Sequence, residues 1–246
     1  MTQGLVADDR RPSDPTLPSA VPVFADPQQY RRPRRNWPTA ALLLVVAACG
    51  TEATPSRGRP RLSTDAHMRR PEALSQQELA RAIPHYQAEC EAGQADPCAY
   101  LAFAFDLGID GRANPQRAAE YAERACELNS GYGCAYLAYL YQLGRGVPYQ
   151  PALAASLLDR SCTQGESDGC LSLALMWISG GLVSADEARA AALFQEACNL
   201  GNAAGCAGLG ALYEDGRGVP CDPSRARALY DKACAAGDPT GCQALH

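Results

Sequence analysis

Residues 126–148 read CELNSGYGCAYLAYLYQLGRGVP, and this stretch decides the fold. Two cysteines, Cys126 and Cys134, stand in a C-x7-C pair around the turn residues Asn129-Ser130-Gly131. Three residues beyond the second cysteine comes Leu137, then the small Ala138, and four residues after the leucine an aromatic, Tyr141. Leucine and aromatic at i, i+4 share one helical face and form the buried stripe of a helix. That helix ends at Gly144, a residue suited to the left-handed C-cap.

The same pattern recurs along the chain at a fixed period. Cysteine pairs stand at 90/98, 126/134, 162/170, 198/206 and 234/242, each pair 36 residues from the last. Leu101, Leu137, Leu173 and Leu209 keep this period, followed by Ala102, Ala138, Ala174 and Gly210. The aromatic position holds Phe105, Tyr141, Trp177 and Tyr213, and the helix-stopping glycine Gly108, Gly144, Gly180 and Gly216. A second helix opens at Asn114-Pro115, Gln150-Pro151, Asp186-Glu187 and Asp222-Pro223, where Asn or Asp caps free N–H groups and proline loses no bond. In it Ala118, Ala154, Ala190 and Ala226 allow close helix approach, while Leu158, Phe194 and Tyr230 point to the core. A period of this length predicts an all-α solenoid of helix pairs.

The Gly-x-Gly-Val loop, the capping Asp or Asn and the alanine that follows, with leucine and aromatic upstream, resemble the Sel-1-like repeat, a relative of the tetratricopeptide repeat. The C-x7-C pairs narrow the resemblance to the cysteine-rich subgroup, similar to the Helicobacter cysteine-rich proteins. It covers residues 75–246, divided into a half-repeat at 75–97, repeats at 98–125, 126–161, 162–197 and 198–233, and a C-terminal half-repeat at 234–246. The first and third loops depart from the pattern, as Gly108-Ile109-Asp110-Gly111 and Gly180-Gly181-Leu182-Val183.

Each cysteine pair joins the end of one second helix to the start of the next first helix. Two such ends lie close enough for disulfide geometry. Zinc competes for the same residues, but it favours x2–4 spacing and four convergent ligands, and successive pairs are one repeat apart. The expected bridges are Cys90–Cys98, Cys126–Cys134, Cys162–Cys170, Cys198–Cys206 and Cys234–Cys242. Each closes a loop of about nine residues, worth about 2.6 kcal/mol in the chain-entropy model.

The remaining two of the 12 cysteines are Cys49 and Cys221. Residues 1–48 carry Pro-rich sequence, the basic run Arg31-Arg32-Pro33-Arg34-Arg35 and an apolar stretch from Thr39 to Ala48. Ten apolar residues are too few to span a bilayer, which takes about 20, but suit a secretory signal behind its positive region. Val46-Ala47-Ala48-Cys49 resembles a bacterial lipobox, whose cysteine is lipidated after cleavage. The long N-terminal region leads us to expect a start downstream of Met1, near Val21 or Val23. Residues 49–74 then form a flexible tether of about 25–30 Å as a random coil. Cys221 is expected to be an unpaired thiol, either without a role or available for an intermolecular disulfide.

Composition bounds the function. The net charge is -5, and residues 75–246 hold 20 acidic and 11 basic side chains, which disfavours nucleic acid as a partner. Lys232 is the one lysine, with Leu229 three residues before it and Ala233 after it. The S-x-x-K and K-T-G motifs of serine β-lactamases are therefore missing, which weighs against the β-lactam binding or hydrolysis that the subgroup resemblance implies. Three scattered histidines, His67, His85 and His246, form no metal cluster. We expect no catalytic residue, cofactor or metal. The first helices of such a solenoid line its concave face, and Tyr100, Phe103, Tyr136 and Tyr139 are expected to stand exposed there as a candidate partner-binding stripe. These readings converge on a lipid-anchored protein-binding scaffold of the bacterial cell envelope, with outer-membrane or periplasmic placement in a diderm. The alternatives are a β-lactamase or penicillin-binding activity, and an assembly factor of the mitochondrial intermembrane space.

Overall fold

The computed structural model describes residues 76–109, 111–180 and 186–245. The expected export signal, Cys49 and the tether lie outside the described residues, as do Asp110 and most of the third interhelical loop.

All regular structure among the described residues is helical. Helix α1 (Gln76–Glu91) leads. Four helix pairs follow: α2 (Ala95–Leu107) with α3 (Pro115–Glu127), α4 (Gly131–Leu143) with α5 (Pro151–Thr163), α6 (Ser167–Ser179) with α7 (Glu187–Asn199), and α8 (Ala203–Asp215) with α9 (Pro223–Ala235). The short α10 (Pro239–Ala244) closes the array. Each helix packs chiefly on its sequence neighbours, and the first helices also touch one another, α2 against α4 and α4 against α6. This is a solenoid of helix pairs.

The local chemistry of one pair explains all four. The first helix stops where Gly108, Gly144, Gly180 and Gly216 adopt φ of 58–68°, a left-handed conformation that glycine reaches without strain. The chain then returns so that the capping residue of the second helix donates its N–H to the carbonyl of the aromatic. Asn114 reaches Phe105 at 2.7 Å, Gln150 Tyr141 at 3.1 Å, Asp186 Trp177 at 3.2 Å and Asp222 Tyr213 at 2.9 Å. The side chains of Asn114, Asp186 and Asp222 also accept an N–H at the start of their helices, from Arg117, Arg189 and Arg225. Gln150 makes no such bond.

The core follows the repeat. Leu101, Leu137, Leu173 and Leu209 are buried, and so are Ala118, Ala154, Ala190 and Ala226. The five expected disulfides are formed, with Cα–Cα distances of 4.5–4.8 Å. The residue before the second cysteine is glycine in four of these pairs, and it is there because the helices nearly touch. A Cβ on Gly133 would lie 2.5 Å from Ala125 Cβ, and one on Gly205 2.7 Å from Ala197 Cβ. Close approach of backbones and the covalent bridge are thus one feature.

No helix among the described residues is long and apolar enough to cross a membrane.

Candidate functional site: the face of the first helices

Helix α4 supplies the centre of this face. The expectation that Tyr100 and Tyr136 stand exposed is wrong. Tyr100 is 5% and Tyr136 1% accessible. Their helical face turns away from the partner helix of the same pair, but it meets the helix of the preceding repeat. Tyr100 packs on Tyr86 of α1 with ring centroids 4.3 Å apart, and Tyr136 inserts against α2. Phe103 and Tyr139 are half-buried, as is Tyr132 one turn before Tyr136. All three pack round the Tyr136 ring: Phe103 edge-on at 6.4 Å, Tyr139 at 5.8 Å and Tyr132 at 6.2 Å. The candidate surface is therefore Phe103, Tyr139 and Tyr132 standing on a buried tyrosine.

Beneath it lies a polar anchor. The Tyr136 hydroxyl donates to Asp106 Oδ2 at 2.9 Å, and Arg145 Nη2 stands 2.8 Å from Asp106 Oδ1. Asp106 is 3% accessible, so its carboxylate is held in the interior by this cation and this hydroxyl. Burial, then the charge of Asp106, push Tyr136 well above the usual tyrosine range, leaving it a neutral donor. Burial likewise raises Tyr100 to about 12, with Tyr86 adding to the effect. Arg145 belongs to the Gly-Arg-Gly loop, where the repeat pattern alone assigns the arginine no role. Arg217, its counterpart two repeats on, pairs instead with Glu187, its Nε 2.8 Å from Oε1.

Toward the C-terminus the face turns acidic. Asn202 Nδ2 donates to Asp168 Oδ1 at 2.7 Å. Burial and then the neighbouring Asp168 raise the carboxyl of Glu166 above its ordinary range. Tyr132 is pushed up in turn by burial, Glu166 and Asp168. Glu166 stands at the N-cap of α6 but makes no capping bond, whereas Ser130, Asn202 and Asp238 do so at the equivalent positions.

Elsewhere the cations act within the repeat. Guanidinium carbons lie 3.9 Å (Arg117 over Phe105), 4.8 Å (Arg189 over Trp177) and 4.6 Å (Arg225 over Tyr213) from ring centroids. Lys232 Nζ donates to the carbonyl of Cys198 at 3.2 Å, and Arg160 Nη2 to that of Cys126 at 2.8 Å in the same register two junctions earlier. The lone lysine is a helix-end clasp. Cys221 corrects a second expectation. It lies partly exposed in the last interhelical loop, 3.5 Å from the Glu214 carbonyl, and is an oxidised, disulfide-bonded cysteine instead of an unpaired thiol. Among the described residues no group of three or more His, Cys, Asp or Glu side chains converges on a point that would hold a metal.

A family model and two solved structures agree with this architecture. The Sel1 repeat model matches residues 98–130, 131–166, 167–202 and 203–238. Among solved structures, a Sel1 repeat protein from Oxalobacter formigenes is 27% identical with a TM-score of 0.62, over 68% of this chain and 48% of that one. A protective antigen present in uropathogenic Escherichia coli strains, displaying an SLR fold, is 26% identical with a TM-score of 0.63, over 66% of this chain and 35% of that one. Helicobacter pylori cysteine rich protein B is 25% identical over 70% of this chain and 98% of that chain, with a TM-score of 0.27. The chain thus spans half or less of the length of the first two. No curated protein matches its sequence.

Proposed function

Because the chain belongs to the Sel1 repeat family, a scaffold suited to protein–protein interaction, we propose that it is an exported, lipid-anchored member that holds a protein partner in the bacterial cell envelope. The observation that carries the binding half of this reading is the aromatic cluster. Phe103 and Tyr139 are half-buried on a base made rigid by the Tyr136–Asp106 hydrogen bond. Aromatic side chains held in one rotamer on a rigid surface lose little entropy on binding and anchor partners well. The acidic side chains Glu166 and Asp168 farther along the face favour a partner with complementary positive charge.

Export rests on different residues. Five disulfides in one chain support an extracytoplasmic protein, because reducing compartments keep thiols open. Val46-Ala47-Ala48-Cys49 behind Arg-rich sequence supports lipidation at Cys49, and Gly50 in place of aspartate favours the outer membrane in a diderm. Labelling of cells with radioactive palmitate tests this, with the Cys49→Ala variant expected to lose the label. A thioether at Cys49 removes that sulfur from disulfide chemistry. Ten of the 12 cysteines pair with one another, so the Cys49 sulfur can carry the lipid or be bonded to Cys221 but not both; mass spectrometry of the mature protein distinguishes the two, and a Cys49–Cys221 bond contradicts the anchoring. Incorporation of label by Cys49→Ala, or its absence from the wild type, contradicts the anchoring. The partner is sought by crosslinking and pull-down from an envelope fraction.

A further inference from the structure

The repeats differ at one chemically telling position. Arg117, Arg189 and Arg225 each stand 12 residues after an aromatic of the first helix and lay a guanidinium over its ring. In the second repeat the aromatic is Tyr141 and the residue 12 later is Leu153. Among the described residues no cation lies over Tyr141. Leu153 is 37% and the nearby Tyr149 56% accessible, two of the four large apolar side chains most open to solvent among the described residues. They belong to one corner. Tyr149 Cβ sits 3.5 Å from where a Cβ on Gly144 would be, and the next residue, Gln150, donates its N–H to the Tyr141 carbonyl at 3.1 Å.

We propose that this corner, formed by Tyr141, Tyr149 and Leu153, is a docking site for an arginine side chain of a partner polypeptide. Three sibling repeats show that the same backbone geometry seats a guanidinium on the ring. Here the chain omits its own cation over the half-buried Tyr141 and adds an exposed aromatic, Tyr149, beside it. Arginine suits the site better than lysine because its planar, weakly hydrated guanidinium stacks on an aromatic face. The excess of acidic over basic residues in 75–246 favours approach of a cationic segment. This site lies at the interhelical loops, away from Phe103 and Tyr139, so its failure leaves the aromatic cluster's role intact.

The probe is a capped tri-arginine peptide titrated into the oxidised full-length protein and followed by amide chemical shifts, with tri-citrulline as the neutral isostere. The expected result is a set of shifts centred on Tyr141, Tyr149 and Leu153 with tri-arginine and none with tri-citrulline. Leu153→Arg supplies the missing internal cation and is expected to abolish the shifts. Tyr149→Ala, at an exposed position, is expected to weaken binding by about two- to fivefold, the scale of one exposed cation–ring contact. Equal shifts with tri-citrulline, persistence of binding in Leu153→Arg, or shifts spread over the acidic helix α3 instead would overturn the proposal.

Discussion

Tyr136 in α4 donates its hydroxyl to Asp106 in α2 across 2.9 Å of interior, and Arg145 closes the other side of the same carboxylate at 2.8 Å. Three residues from two successive repeats thereby fix the angle at which one first helix meets the next. Tyr136→Phe keeps the ring and removes the donor, leaving Asp106 Oδ2 without its partner. The expected loss is about 1–3 kcal/mol of unfolding free energy, the cost of a buried charged acceptor left unmet. Chemical denaturation measures it. A loss below about 0.5 kcal/mol would mean that Arg145 alone satisfies the carboxylate.

Glu166 offers a stabilising change whose size depends on pH. Its folded carboxyl titrates above the unfolded one, mainly through burial and then through Asp168. The fold therefore favours the protonated form, and stability falls as pH rises from below the unfolded value, about 4, through the folded one. Glu166→Gln removes this loss, so its benefit is present at neutral pH and vanishes in acid. Glu166→Asn adds the cap that Asn202 makes one repeat on, worth about 1 kcal/mol at any pH. Melting curves of both variants at pH 7 and pH 3.5 separate the two effects. An advantage of Glu166→Gln that grows in acid would reverse the sign argued here.

The junction glycines are as constrained as the cysteines beside them. Gly133→Ala puts a Cβ 2.5 Å from Ala125 Cβ and 2.9 Å from Cys126 N. Helices tied by a disulfide at 4.5 Å cannot separate to relieve this, so the expected cost is about 3 kcal/mol. Adding Ala125→Gly should rescue only part of it, because the backbone nitrogen remains in the way. Full rescue by the second substitution would locate all the strain in the side chains.

The bridges themselves should dominate stability. Replacing Cys126 and Cys134 by alanine is expected to lower the unfolding free energy by about 2.6 kcal/mol, and full reduction to lower the melting temperature sharply. A melting curve indifferent to reductant would show that the helices hold without them.

These features were unequally visible in the sequence. The caps, the leucine stripe and the cysteine pairing were legible because each depends on residues within one turn or one loop, repeated in phase four or five times. Gly133, Gly169, Gly205 and Gly241 stand in the same phase, and aligning the position before each second cysteine would have exposed that contact too. The burial of Tyr100 and Tyr136 was not legible. A helical wheel assigns one face to the partner within a pair, and the contact that buries these tyrosines comes from the preceding repeat. Asp106 and Tyr136 are 30 residues apart and have no counterpart in the later repeats, where Ser172 and Gly208 replace the tyrosine, so no periodicity announces them. Of the candidate stripe, Phe103 and Tyr139 stay available at the surface, and Tyr132 joins them on the strength of the packing alone.

The central claim is that a partner protein lies on the face of the first helices. Site-specific photocrosslinking in cells tests it most directly, with the photoreactive residue placed in turn at Phe103, Tyr139 and, on the exposed side of α3, Glu120 and Glu123. The account predicts one discrete adduct from both Phe103 and Tyr139, lost when Tyr136→Ala removes their support, and none from Glu120 or Glu123. Adducts from α3 with none from the first helices would contradict it.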